Sequence, residues 1–215
     1  MLRCENIVPR RRLRSLDQII RDPDDLASEP LPPAVEQFVR NAATLLSDGD
    51  NGSLARYDSF PAPLYATDAS GAVTYFNHAC VEFAGRLPEV GRDRYCVTWR
   101  LWDDDGAFLP HDQCPMAIAL RDQRPVRGVE ALAERPDGAR RRFRPFATPA
   151  LDASGKLVGA VNLLVPTDGE ACHDLLATAQ KCRRLSRWVD KPAVSATLLH
   201  MAGECEANAA VLRLD

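Results

Sequence analysis

An imidazole and a thiol stand three residues apart in Leu109-Pro110-His111-Asp112-Gln113-Cys114-Pro115-Met116. Both groups are competent axial ligands for haem iron. A further thiol closes the stretch Glu89-Val90-Gly91-Arg92-Asp93-Arg94-Tyr95-Cys96. Around these, Tyr95, Trp99, Trp102 and Phe108 concentrate in a chain with only 7% aromatics. Such a cluster is either the main packing centre or the wall of a ligand pocket. Further on, Arg140-Arg141-Arg142-Phe143-Arg144 alternates, so Arg140, Arg142 and Arg144 share one face of a strand and Arg141 and Phe143 the other. Arg141 is placed to reach an anionic ligand inside the fold; the alternative reading is an exposed strand face paired with Glu130 and Glu134 across a hairpin. The candidate pocket residues are therefore Tyr95, Trp99, Trp102, His111, Cys114, Met116, Phe143 and Arg141.

Catalytic motifs are missing. The chain has no Gly-x-Ser-x-Gly elbow, no phosphate loop ending in Gly-Lys-Ser/Thr and no His-Glu-x-x-His. Asp103-Asp104-Asp105 precedes a Gly and reads as a solvated turn. With no acid–base pair in place, the expectation is a protein that is not an enzyme. Seven cysteines, none closer than ten positions to the next, lack zinc-knuckle spacing and predict reduced thiols and no metal site. A length of 215 residues suits one good core with appendages. A net charge of −3 and a pI near 5.8 give no general attraction to nucleic acid. No apolar run is long enough to span a membrane, and the first residues lack a secretory signal, so a cytoplasmic location is expected. Arg10, Arg11, Arg12 and Arg14 lack interleaved aromatics and are read as a solvated arm balanced by Asp22, Asp24, Asp25 and Glu29, with one short helix over 15–21.

The elements that must position these groups follow from turn chemistry and periodicity. Leu64 to Thr67 and Val73 to Phe76 flank a turn of Asp68, Ser70 and Gly71, which reads as a hairpin. Asn77 is placed to cap the short helix Ala79 to Ala84, and Gly85 stops it. After a middle segment from Gly85 to Gln123, read as short helices and loops, three strands are expected. They run over Val126 to Glu134, Arg141 to Ala147 and Leu157 to Val165, joined at Arg135-Pro136-Asp137-Gly138 and Asp152-Ala153-Ser154-Gly155. Pro145 and Pro149 suggest a bulge or a shortened strand.

This order resembles the PAS domain family over about half of the chain. The resemblance implies an α+β fold: a five-stranded antiparallel sheet with short helices on one face, over 55–167. An N-terminal arm and amphipathic helix would occupy 1–54, and a C-terminal helical hairpin or coiled coil 168–215. It also frames two cofactor readings. Gly91 to Cys96 is similar to the Gly-Arg-Asn-Cys motif of flavin-binding photosensory PAS domains, but the Cys falls two positions late and Asp93 replaces Asn, so flavin is set aside. Haem-binding PAS domains present a His from the helix before the last three strands, where His111 stands, and Cys114-Pro115 resembles a haem-regulatory motif. Haem or redox sensing through His111 or Cys114 is thus the alternative function. Asp112 is the better helix cap there, with Cys114 packed inward.

Val35, Phe38, Val39, Ala42, Leu45 and Leu46 form one apolar helix face. The last strand is apolar on both faces, Leu157, Gly159, Val161 and Leu163 on one and Val158, Ala160, Asn162 and Leu164 on the other. Its outer face needs a cover, either in cis or from a second copy. Phe38, Val39, Leu45, Val158, Ala160, Asn162 and Leu164 are the interface candidates. The tail offers stripes of Leu175, Ala179, Cys182, Leu185 and Val189, then Val194, Leu198, Met201, Cys205 and Leu212, as in an αα-hairpin. The expected function is signal transduction as a sensory and regulatory interaction module without its own output domain. Protein partners, a homodimer and a small-molecule ligand belong to that expectation; nucleic acid and membrane do not.

Overall fold

The computed structural model describes residues 33–213, so the arginine cluster and the helix expected over 15–21 lie outside the described residues. Pro33 opens α1 (Pro33–Ser47), where a missing amide hydrogen costs nothing in the first turn. A short 3-10 helix (Asn51–Tyr57) follows, then β1 (Leu64–Asp68), β2 (Val73–Phe76), α2 (His78–Ala84), β3 (Arg100–Asp103), β4 (Phe108–Leu109) and α3 (Pro115–Asp122). β5 (Ala131–Glu134), β6 (Arg140–Leu151), β7 (Leu157–Pro166), α4 (Glu170–Ser186) and α5 (Pro192–Leu212) complete the order.

The strands pair antiparallel in the order β2-β1-β7-β6-β5-β3-β4. Among the described residues the sheet thus has seven strands, not the five expected. The two extra strands come from the segment read as helix and loop. Asp103 accepts from the Ala107 amide at 2.7 Å, Gly106 takes φ +82, and this tight turn folds Arg100–Leu109 into a hairpin on the sheet edge. Trp102 rests edge-on against Phe108 and under the Arg140 guanidinium, 4.2 Å from its ring centroid.

β6 is also longer than expected and runs through Pro145 and Pro149. The Val126 amide donates to the Ala147 carbonyl, so Ala147 turns its backbone away from β7. Pro145 and Pro149, two residues to either side, do the same, on the edge where β5 has already ended opposite Phe143. Their missing donors interrupt no ladder. The irregularity lies instead at Ala150/Leu151, opposite Val158.

The sheet separates two cores. The inner one, under α2 and α3, holds Tyr65, Cys80, Phe83, Cys96, Leu101, Cys114, Met116, Ile118, Phe143, Ala160 and Leu164. The outer one joins Val35, Val39, Ala42 and Leu46 of α1 to Leu64, Phe146, Val161, Leu163 and Val165, and receives Val211 and Leu212 from the end of α5. The outer face is therefore covered in cis. Its occupants correct the expected face: Val161 and Leu163 meet α1, whereas Ala160 and Leu164 lie in the inner core. Val158, beside the irregular register, packs outward while Leu157 packs inward, because one extra residue reverses the alternation.

Candidate functional site

Tyr65 and Asn162 are register partners on β1 and β7, both buried beneath the inner helices. The Tyr65 hydroxyl accepts from Asn162 Nδ2 at 3.1 Å and donates to the Tyr95 carbonyl at 3.0 Å. Asn162 Oδ1 accepts from the Phe146 amide at 3.0 Å. An amide side chain suits this place because it accepts and donates at once. Burial pushes the Tyr65 phenol well up, so it stays a neutral donor.

The far end of this chain is unusual backbone. Tyr95 has φ +63, rare for a residue with a side chain. Its amide donates to the Gly71 carbonyl at 2.7 Å and its ring lies where a side chain on Gly71 would stand, which is why Gly is required there. Two thiols flank this backbone. Cys96 Sγ lies 3.1 Å from Thr98 Oγ1, and Cys114 Sγ contacts the Tyr95 carbonyl at 3.7 Å. Burial pushes both thiols up.

The near end continues to the outer face. Phe146 packs in the outer core, and the buried Arg127 guanidinium lies 5.6 Å from its ring centroid. Arg127 donates to the carbonyls of Val126 (2.9 Å) and Ala147 (2.8 Å) and to Thr148 Oγ1 (2.8 Å), and pairs with Glu36 of α1 at 3.1 Å. Burial works against both charges. For Glu36 the guanidiniums of Arg127 and Arg40 outweigh it and hold the carboxyl below its ordinary range. Arg127 is pulled down by burial yet stays charged, as a guanidinium does in any folded protein. A continuous set of contacts thus runs from Tyr95 through Tyr65, Asn162, Phe146 and Arg127 to α1.

The sequence-predicted pocket residues separate. Cys114, Met116 and Phe143 meet in the inner core, with half-buried Tyr95 against it. Trp99 is 50% exposed and Trp102 belongs to the edge hairpin, so neither faces that core. Arg141 is exposed and lines a cleft of about 240 Å³ with Glu82, Phe83, Asp168 and Asp174, between α2 and the root of α4. Its neighbours on β6 pair with carboxylates: Arg140 with Glu134, Arg144 with Glu130, and Arg142 with Glu130 and Asp104. His111 sits half-buried in a 3-10 turn, where burial and then Arg86 lower its pKa. The cap of α3 is Cys114, not Asp112, because that turn takes up Asp112 before the helix starts at Pro115.

A haem does not fit beside Cys114. The space between α3 and the sheet is filled by Met116, Ile118, Phe143 and Leu164, all fully buried. Sequence reasoning missed Tyr65, Glu36 and Arg127 as linked groups. Arg127 stands between Arg124 and Glu130 in the sequence, so nothing in its neighbourhood singled it out as the buried cation.

Comparison with known proteins follows this geometry. No curated protein matches the chain. Among solved structures, the PAS domain of the fruit-fly ELK potassium channel is similar at 12% identity and a TM-score of 0.44, covering 54% of this chain and 95% of that one. The Rhodobacter sphaeroides LOV protein is similar at 12% identity and a TM-score of 0.41, over 82% of this chain and 96% of that one. The LOV domain of a blue-light activated histidine kinase from Erythrobacter litoralis shows 22% identity and a TM-score of 0.39, over 50% and 96%. The family model described as the PAS fold matches residues 57–168, from the end of the 3-10 helix to just past β7. With more than half its length matched, and with the hairpin, Asn-capped helix and three closing strands in place, the chain belongs to the PAS fold family.

Proposed function

We propose that the protein is a sensory and regulatory module that works by interaction rather than catalysis. The state of its inner core sets how α1 and the C-terminal hairpin sit. The observation that carries this reading is the set of contacts from Tyr95 to Glu36, which crosses the sheet from the inner core to the outer helices. A shift at Tyr95, caused by a small ligand or a partner, moves Tyr65 and Asn162, and through Phe146 and Arg127 reaches α1. The end of α5 shares the outer core with α1 and feels the same change. Packed elements of this kind switch between arrangements rather than deform smoothly, which suits a relay.

The test is a double-mutant cycle read by amide hydrogen exchange. Asn162→Ala is expected to speed exchange by about tenfold or more in α1 and in the last turns of α5. Glu36→Gln is expected to do the same in α1, with the double variant short of additive. Faster exchange confined to β1, β6 and β7, or full additivity, overturns the relay.

A further inference from the structure

The charges of the C-terminal hairpin are divided by sign. Over residues 181–203, five cations stand against one carboxylate, Asp190, in a chain whose net charge is −3. Asp168, Asp174, Glu204 and Glu206 lie outside that stretch, toward the root where Val211 and Leu212 enter the outer core. Of the five cations only Arg183 has an ion pair among the described residues, with Glu206 at 2.6 Å. Lys181, Arg184, Arg187 and Lys191 are exposed. The dipole of α4 accounts for a cation in its last turn, but not for the apolar groups that stand among them.

Trp188 is 83% exposed, more than any other large apolar side chain among the described residues. Leu185, three positions earlier on the same stripe, is 42% exposed, and Val194, in the first turn of α5, is 44% exposed. This tip is held in shape. The Trp188 amide donates to the Leu185 carbonyl at 3.0 Å, and Ser195 Oγ donates to the Ser186 carbonyl at 3.0 Å, tying α5 to the end of α4. The sheet holds only the other end of the hairpin. At 1.5 Å per residue, the last turn of α4 stands about 20 Å from Cys172, which packs on the outer core.

Unpaired cations around an exposed indole, at an end that projects, fit an anionic lipid surface. Headgroup phosphates take the guanidinium and ammonium groups, and Trp188 with its two aliphatic neighbours gains by leaving water at the headgroup boundary. Nucleic acid would use the cations but not Leu185 or Val194. Single-strand binding also stacks successive bases on several aromatics, and the tip has one. The carboxylates at the root are repelled by the same surface, so the tip is the end that meets it. The sequence set membranes aside on net charge and on the lack of a long apolar run, and neither measure sees a local tip. No helix among the described residues is long and apolar enough to cross a membrane, and contact at the tip requires none.

We propose that the hairpin tip docks peripherally on anionic bilayers through Arg184, Arg187, Lys191 and Trp188. This goes beyond the relay proposed above and does not depend on it. Vesicle binding reads the tip and hydrogen exchange reads the sheet, so the two fail separately.

The experiment is co-sedimentation of the full chain with vesicles of phosphatidylcholine, either pure or with about one-third phosphatidylglycerol. Binding to the anionic vesicles is expected to be about tenfold tighter or more, and to weaken as salt is added. Tryptophan emission should shift to the blue on binding. Trp188→Phe should remove the shift, since Trp99 and Trp102 lie at the sheet edge. Arg184→Gln with Arg187→Gln is expected to weaken binding by about tenfold, and Trp188→Ala to weaken it as well. All three side chains already meet water, and the comparison of vesicles with the wild type needs no substitution. Equal binding to both vesicle types, binding to neither, or binding that these substitutions leave unchanged overturns the inference. So does binding to an oligouridine RNA with none to vesicles, which would assign the tip to nucleic acid.

Discussion

Glu36 is where residue-scale chemistry has the widest consequence. Its carboxylate holds Arg127, which holds β6 and stacks on Phe146, so one ion pair ties α1 to the centre of the sheet. Replacing it with Gln leaves the buried guanidinium without a counter-charge. The expected loss is about 2 kcal/mol by urea denaturation, less than for a fully buried pair because 23% of the Glu36 side chain remains exposed. The same pair sets a pH dependence. The folded carboxyl lies below its ordinary range, so as pH falls the unfolded chain takes up the proton first. This part of the stability is complete above the ordinary carboxylate range and is lost as pH falls through the lowered value. Amide protection in α1 should therefore fall in acid ahead of that in α2, and Glu36→Gln should remove that difference. A profile unchanged by the substitution contradicts the assignment.

At the scale of elements, β7 packs closely against both β1 and α1 at Gly159. A side chain on Gly159 would run into the Thr67 carbonyl of β1 and lie 3.2 Å from Leu46 of α1. The first obstacle is backbone and cannot rotate away. Gly159→Ala is expected to cost about 3 kcal/mol and to deplete folded protein, read by chemical denaturation. Full stability in that variant would mean that β1 and β7 part more easily than their pairing indicates. Sequence alternation placed Ala160, Asn162 and Leu164 on the outer face. It failed there for a physical reason: period-two reading carries no information about an inserted residue, and one at Val158 exchanges the faces.

The whole molecule is a PAS sheet clamped between helices of its own chain, with a hairpin joined to that clamp at the root. Val211 and Leu212 enter the outer core, and Cys172 Sγ meets the Ala209 carbonyl at 3.6 Å. Leu212→Asp should release the root. Cys172 should then react faster with a thiol reagent by tenfold or more, while Cys80, Cys96 and Cys114 stay protected in the inner core. An unchanged rate at Cys172, or simultaneous loss of protection at all four, would show that hairpin and sheet do not part as units.

What the sequence determined by itself was local. Asn77 accepts from the Cys80 amide as the cap of α2, Gly85 takes φ +64 at its end, and the turn at Asp152 forms around its own carboxylate. These rest on bonds between near neighbours, so residue type and spacing are enough to read them. Long-range partners were not legible in the same way. Asn77 also accepts from Leu64 and donates to Tyr57, Phe60 and Ala62, and its cap signature does not encode those bonds. Glu36 and Arg127 are ninety-one positions apart, and Tyr65 and Asn162 ninety-seven. Only tertiary packing decides which buried polar groups become neighbours, because many partners would satisfy each group equally well. The edge hairpin, the exchanged faces of β7 and the path from Tyr95 to α1 were settled at that level.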